Sequence, residues 1–172
     1  MGNMNSERIA ALREMMAENG WDAVVVTGSD PHGSEYQAPR WKQVEWLTGF
    51  TGEAGDVVVT ADHAGLWTDS RYFIQALAQL DGTGVELHKT RQPDTVRIPQ
   101  WLSGRAKIVA VDGLCQSIGA VKEIEESIGD GGVVVDRPDL LQELWTDRPQ
   151  IPVTPVTTLD VECFGGISRE EK

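Results

Sequence analysis

Apolar and polar positions alternate along this chain in two periods. Ile9, Leu12, Met15 and Met16 share one face of a helix that Ser6 can cap and Gly20 stops. Tyr72, Phe73, Ala76, Leu77 and Leu80 repeat in the same way over Ser70–Leu80. Ile118, Val121, Ile124 and Ile128 do so over Ser117–Ile128. Between these lie short β-branched runs that read as buried strands: Ala23–Thr27, Asp56–Thr60, Ala64–Thr68, Lys107–Val111 and Gly132–Asp136, with Gly84–Lys89 as a further strand. Asp56–Thr60 and Ala64–Thr68 pair around the turn Ala61-Asp62-His63. Trp41–Leu47, Val96–Leu102 and Pro138–Trp145 read as short helices. Helices and strands that alternate in this way predict an α/β domain: a mixed central β-sheet flanked by helices on both faces.

Gly28–Arg40 is a polar loop, and Gly49, Gly52 and Gly55 punctuate a second one. After Trp145 the texture changes. Pro149, Pro152 and Pro155 disfavour helix and stiffen a linker, and Ser168 followed by charged residues reads as a helix being capped and begun. Truncation or an ordinary frayed tail would both produce that ending, and truncation is the stronger reading. The expected organisation is one domain over residues 1–160, with 161–172 a linker and the start of a further domain.

The 172 residues suit one domain. With 15 Lys+Arg against 27 Asp+Glu, the net charge is −12, which repels phosphate backbones and anionic membranes. Nucleic acid and membrane are therefore excluded as expected partners. Cys115 and Cys163 suggest no disulfide framework, and neither a signal segment nor a membrane span is legible, so a reducing cytoplasm is the expected location. Gly2 fits a loose myristoylation pattern, for which a cloning remnant before Met4 is the duller explanation.

Little of the usual catalytic chemistry is present. His32, His63 and His88 are isolated in sequence, and Asp30-Pro31-His32 supplies only two potential ligands. No metal site is expected. Glu123, Glu125 and Glu126 read as a solvated helix face, and Cys115 has no base beside it and reads as a core or loop cysteine. The Gly49–Gly55 loop leads into a strand rather than a helix and carries Glu53, which argues against a phosphate cradle. Arg71 is more informative. In the first turn of a helix a cation opposes the dipole. Either Asp69 neutralises it, or its guanidinium projects from a strand–helix junction toward a ligand carbonyl or carboxylate. The six tryptophans suit core packing, with some left for an interface.

Four ordered segments bring these features together: Asp30–Tyr36, Trp46–Gly55, Leu66–Phe73 and Leu144–Pro149. Their order and spacing resemble the N-terminal domain of Xaa-Pro aminopeptidases (aminopeptidase P) of the creatinase/prolidase superfamily. The Trp145–Pro149 segment resembles the three-domain form. Glu53 departs from the small residue, usually serine, at that place. The resemblance implies a mixed-sheet α/β fold and a parent metallopeptidase that removes the residue preceding proline from a peptide N-terminus. It places the chemistry in a separate C-terminal "pita-bread" domain holding two divalent ions, typically manganese, so that this chain alone carries no catalytic residue and no cofactor. The expected partners are a proline-containing peptide, the protein's own catalytic domain and a second copy in a homodimer. Arg71 falls on the substrate-binding arginine of the family motif, with His32 and Asp69 as further candidates, and Val161–Lys172 on the opening of the middle domain. The readings from other classes are a free-standing interaction module and a small-ligand-binding α/β domain without peptidase activity.

Overall fold

The computed structural model describes residues 4–158, 160, 164–168, 170 and 171. Helix α1 (Met4–Asn19) buries Ile9, Leu12, Met15 and Met16, the face its periodicity predicts. Ser6 does not cap it: it lies inside the helix, where its hydroxyl donates to the Thr83 carbonyl at 3.0 Å. A serine within a helix is free to bond an outside acceptor, and this one ties α1 to a distant loop.

The sheet has six strands, β1 (Ala23–Val26), β2 (Asp56–Thr60), β3 (Ala64–Thr68), β4 (Glu86–Lys89), β5 (Ile108–Val111) and β6 (Val133–Asp136), in the order β4-β3-β2-β1-β5-β6. β2 runs antiparallel to both neighbours, and the β3–β4, β1–β5 and β5–β6 pairs are parallel. All six expected strands are found. Successive side chains on a strand face opposite ways. Val24 and Val26 therefore join α1, α2 (Gln43–Thr48) and α3 (Phe73–Leu80) in one core, while Ala23 and Val25 join α4 (Ile98–Leu102) and α5 (Ile118–Ile128) in the other. Helical layers on both faces explain why the central strands read as continuous apolar runs.

Three expectations about the helices fail. Pro138–Trp145 is a series of turns, because Asp139 takes φ 55° and its carboxylate is held by Arg40 and Arg148. Asp tolerates that left-handed conformation, which a helix cannot contain. Leu77 is exposed beside Ile74, so only Ala76 and Leu80 of α3 are fully buried. Ile118, at the first position of α5, points to solvent ahead of Ile124 and Ile128, while Ser117 caps the helix by accepting from the Ala120 N–H at 3.1 Å. All six tryptophans are buried or half-buried: Trp21 and Trp67 lie in the two cores, and the half-buried Trp46 and Trp101 pack against them.

Residues 150–158 follow Arg148 as an exposed stretch without helix or strand. Cys163 and much of the stretch expected to open a further domain lie outside the described residues.

Candidate functional site

Strand β3 ends on Thr68, whose hydroxyl donates to the Ala54 carbonyl and fixes the strand end against the glycine loop. Asp69 then forms a turn: its carboxylate accepts from the Arg71 N–H at 3.1 Å, and its carbonyl accepts from the Tyr72 N–H at 3.0 Å. The helix does not start until Phe73, with Tyr72 as its cap residue. Arg71 thus stands ahead of the first turn, and the dipole cost expected from the sequence does not arise. Short Asp side chains compete with helix by bonding the backbone two residues on, and that competition delays the start.

The Arg71 guanidinium grips Asp69 with two parallel bonds, Nε to Oδ1 at 2.9 Å and Nη2 to Oδ2 at 2.8 Å. Asp69 is largely buried, whereas 63% of the Arg71 side chain is exposed. The hydrogen bond from Arg71 holds the Asp69 carboxyl down at about 2, against the upward push of burial. Arg71 is raised in turn by the same hydrogen bond. The pair is a fixed fork with its outer edge facing solvent.

A cavity of about 600 Å³ opens at the carboxyl ends of β1 and β3, beside the start of the antiparallel strand β2. Its wall includes Thr68, Asp69, Arg91, Thr95, Arg97 and Glu123, so Asp69 belongs both to the fork and to the cavity, while Arg71 is not part of the wall. In open sheets ligands bind in such crevices at the carboxyl ends of strands. The Arg97–Glu123 ion pair joins α4 to α5 across one side.

His32 lies elsewhere. Its imidazole contacts Asp30 (Nδ1 to Oδ2, 3.5 Å) and sits edge-on to Trp41, and the structure does not bring it to Asp69 or Arg71. The nearly buried Asp30 accepts from the backbone N–H groups of His32 and Ser34, both at 2.9 Å. Burial pushes the Asp30 carboxyl up, but these hydrogen bonds outweigh it and the net shift is downward. The Asp-Pro-His segment therefore builds a loop.

The glycine loop serves close packing. A side chain at Gly28 would meet the Gly55 carbonyl oxygen at 2.3 Å, and one at Gly52 would strike the Phe50 ring at 2.2 Å. Thr51 is tethered to α3 through Gln75 and Gln79. Glu53 is exposed beside a small cavity of about 150 Å³ whose wall also carries Glu35 and Glu45.

Two histidines that looked isolated are neighbours. The parallel pairing of β3 with β4 sets Trp67 opposite His88, and the turn before β3 delivers His63, so the two Nε2 atoms lie 3.1 Å apart. Glu86 is 3.8 Å from His63 Nδ1. Burial lowers the pKa of His88. Two histidines 25 positions apart carry no local motif, and only the strand register places them together.

Cys115 is buried, and burial pushes its thiol up to about 12. The thiolate is the reactive form. In a Cys163→Ser background, Cys115 should therefore stay unmodified by a thiol reagent at pH 8 until denaturant unfolds the chain. Rapid labelling of the folded protein would show an accessible thiolate instead.

The mixed six-stranded sheet, its two helical layers and the fork at the end of β3 define an α/β domain. Residues 8–144 match the creatinase/prolidase N-terminal domain, and the chain belongs to that family. An Xaa-Pro aminopeptidase of Caenorhabditis elegans is 37% identical over 166 residues, covering 94% of this chain and 26% of its own length. Aminopeptidase P1 of Arabidopsis thaliana is 33% identical, covering 93% and 25%. The chain thus spans about a quarter of these curated relatives. Among solved structures, an X-prolyl aminopeptidase of Caenorhabditis elegans, described as a cytosolic enzyme with a di-nuclear active site, superposes with a TM-score of 0.81 at 34% identity, over 92% of this chain and 28% of that one. An Xaa-Pro aminopeptidase chain from Streptococcus pyogenes shares the fold at 23% identity and a TM-score of 0.64, over 84% and 99%.

Proposed function

We propose that this chain is the non-catalytic N-terminal domain of a cytoplasmic, three-domain Xaa-Pro aminopeptidase, that residues 1–160 form the domain, and that 161–172 lead into the next one. The reading rests above all on the 37% identity to an Xaa-Pro aminopeptidase across 94% of the chain. The Asp69–Arg71 fork supports it. A rigid, half-exposed guanidinium at a strand end is shaped to donate to a peptide carbonyl or carboxylate, and Asp69 holds it in place. Arg71 is the proposed substrate-binding residue, with Asp69 positioning it. His32, tied to Asp30 on another loop, contributes to the loop's shape.

The hydrolytic chemistry belongs, in this reading, to a separate catalytic domain holding two divalent ions, manganese by the family resemblance. A two-metal site needs several bridging and terminal ligands around ions roughly 3.5–4 Å apart. Among the described residues the one group that gathers three possible ligands is His63, Glu86 and His88, which does not fit such a pair. This domain's part is to border the substrate cleft and to support a homodimer, and the exposed Ile74 and Leu77 on α3 are apolar surface available for contact with a neighbouring domain or copy.

The test compares two proteins. The 172-residue chain, rigorously purified and supplied with manganese, should release no N-terminal residue from an Xaa-Pro peptide, whereas the complete protein encoded by its reading frame should do so. Metal-dependent turnover by the short chain would overturn the non-catalytic assignment. An inactive complete protein would overturn the aminopeptidase assignment.

A further inference from the structure

We propose that His63, His88 and Glu86 form a zinc site that staples the edge strand β4 to β3. The three side chains each offer a ligand atom, and those atoms lie within 4.8 Å of one another. Two imidazoles and a carboxylate are a donor set that zinc accepts, with water in the remaining position.

The geometry around the pair is fixed from several sides. The two Nε2 atoms are 3.1 Å apart, and two nitrogens bound to one tetrahedral zinc at about 2.0 Å stand about 3.3 Å apart, so their separation already suits one shared ion. His88 stacks flat on Trp67, with ring centres 3.9 Å apart and planes 5° from parallel, while Trp101 of α4 lies 4.8 Å from His63. Trp67 is itself anchored by donating its indole N–H to the Val96 carbonyl at 3.0 Å. Packed aromatic neighbours that lock the ring orientation are what a metal site needs around its ligands.

Gly65 supplies an independent observation. It sits inside β3, where glycine weakens a strand and commonly marks close approach by another group. A side chain there would meet His63 Nε2 at 2.7 Å and His88 Nε2 at 2.8 Å. The missing side chain is thus the room in which both imidazole nitrogens converge. Without metal the two Nε2 atoms form a hydrogen bond in which one ring donates its N–H to the other's lone pair. With zinc, each ring carries its proton on Nδ1 and gives its Nε2 lone pair to the ion, and Glu86, two-thirds exposed and free to adjust, adds a carboxylate oxygen. The consequence is mechanical: one ion would tie β4, an edge strand, to its neighbour beneath α4.

The experiment is a zinc chloride titration of the 172-residue chain, followed by calorimetry and by long-range imidazole ¹⁵N NMR. One equivalent should bind, the Nε2 resonances of His63 and His88 should both shift, and the melting temperature should rise with zinc concentration. His63→Ala or His88→Ala should weaken binding by about a hundredfold, Glu86→Gln by roughly tenfold, and His32→Ala should leave it unchanged. Unmoved Nε2 resonances in the unaltered chain at saturating zinc would overturn the site whatever the variants do. So would equal affinity in a folded His63→Ala/His88→Ala double variant.

Discussion

Replacing Arg148 with alanine should cost about 3 kcal/mol of stability, because it removes one side of a buried charge cluster. The Arg148 side chain is fully buried. Its Nε donates to the Arg40 carbonyl at 3.1 Å and its Nη1 to Asp139 at 3.0 Å, and the guanidinium lies 5.6 Å from the Trp145 ring centre. Arg40 bonds the same Asp139 carboxylate and also the Pro149 carbonyl at 3.1 Å. Burial, and then the like charge of Arg40, pull Arg148 below its ordinary range, and burial raises the nearby Asp112. Arg148 Nη2 and Asp112 Oδ2 are the buried side-chain atoms that lack a hydrogen-bond partner among the described residues.

Two effects oppose each other in the variant. Asp139 is partly exposed and keeps Arg40, which lessens the loss. The Arg40 carbonyl loses its donor, a core-sized space opens beside Trp145, and Asp112 loses the positive charge that offsets its burial, which adds to the loss. The second group dominates. For a chain of this size the melting temperature should fall by roughly 6–12 °C. Arg148→Lys should recover little, since an ammonium cannot reproduce the planar fork. A melting temperature within a degree or two of the unaltered chain would show that the cluster contributes nothing net, as some buried ion pairs do.

The contrast between this cluster and the sheet shows what the sequence makes legible. Val24–Val26, Val57–Val59 and Val109–Val111 read as strands because both faces of the sheet are covered, so every position is apolar. Helix α1 read correctly because its four buried positions share one face, although its capping residue did not. Pro138–Trp145 misled because Leu140, Leu141 and Leu144 have helical spacing, yet the requirement that Asp139 receive two arginines overrides periodicity. Arg71 was legible as an oddity, but its relation to the helix was not: the Asp69 turn delays the helix by three residues beyond Ser70. His63 and His88 could not be paired in advance, because the contact depends on β3 and β4 lying parallel in one particular register and on the missing side chain of Gly65.

In the complete protein, Arg71→Ala should lower kcat/KM for an Xaa-Pro peptide by roughly ten- to a hundredfold, the loss of a charge-assisted bidentate contact to bound peptide. The guanidinium is already paired with Asp69, and this pairing favours the role. Nε and one face of Nη2 are committed to the carboxylate, which fixes the plane of the fork, while the exposed edge keeps N–H donors for a ligand. A donor fixed before substrate arrives loses less freedom on binding than one that must be ordered. Arg71→Lys should recover only part of the activity, because an ammonium cannot hold Asp69 through two bonds and still present a planar edge. Asp69→Asn should act through Arg71: it weakens the grip, so kcat/KM falls by less than in Arg71→Ala, and the Asp69→Asn/Arg71→Ala double variant should be no worse than Arg71→Ala alone. The melting temperature of Arg71→Ala should fall modestly: the largely buried Asp69 carboxylate loses its two bonds from the guanidinium but keeps its backbone hydrogen bond from residue 71. The opposite pattern, with kcat/KM unchanged and a clearly lower melting temperature, would make Arg71 a structural partner of Asp69 and remove it from the substrate cleft.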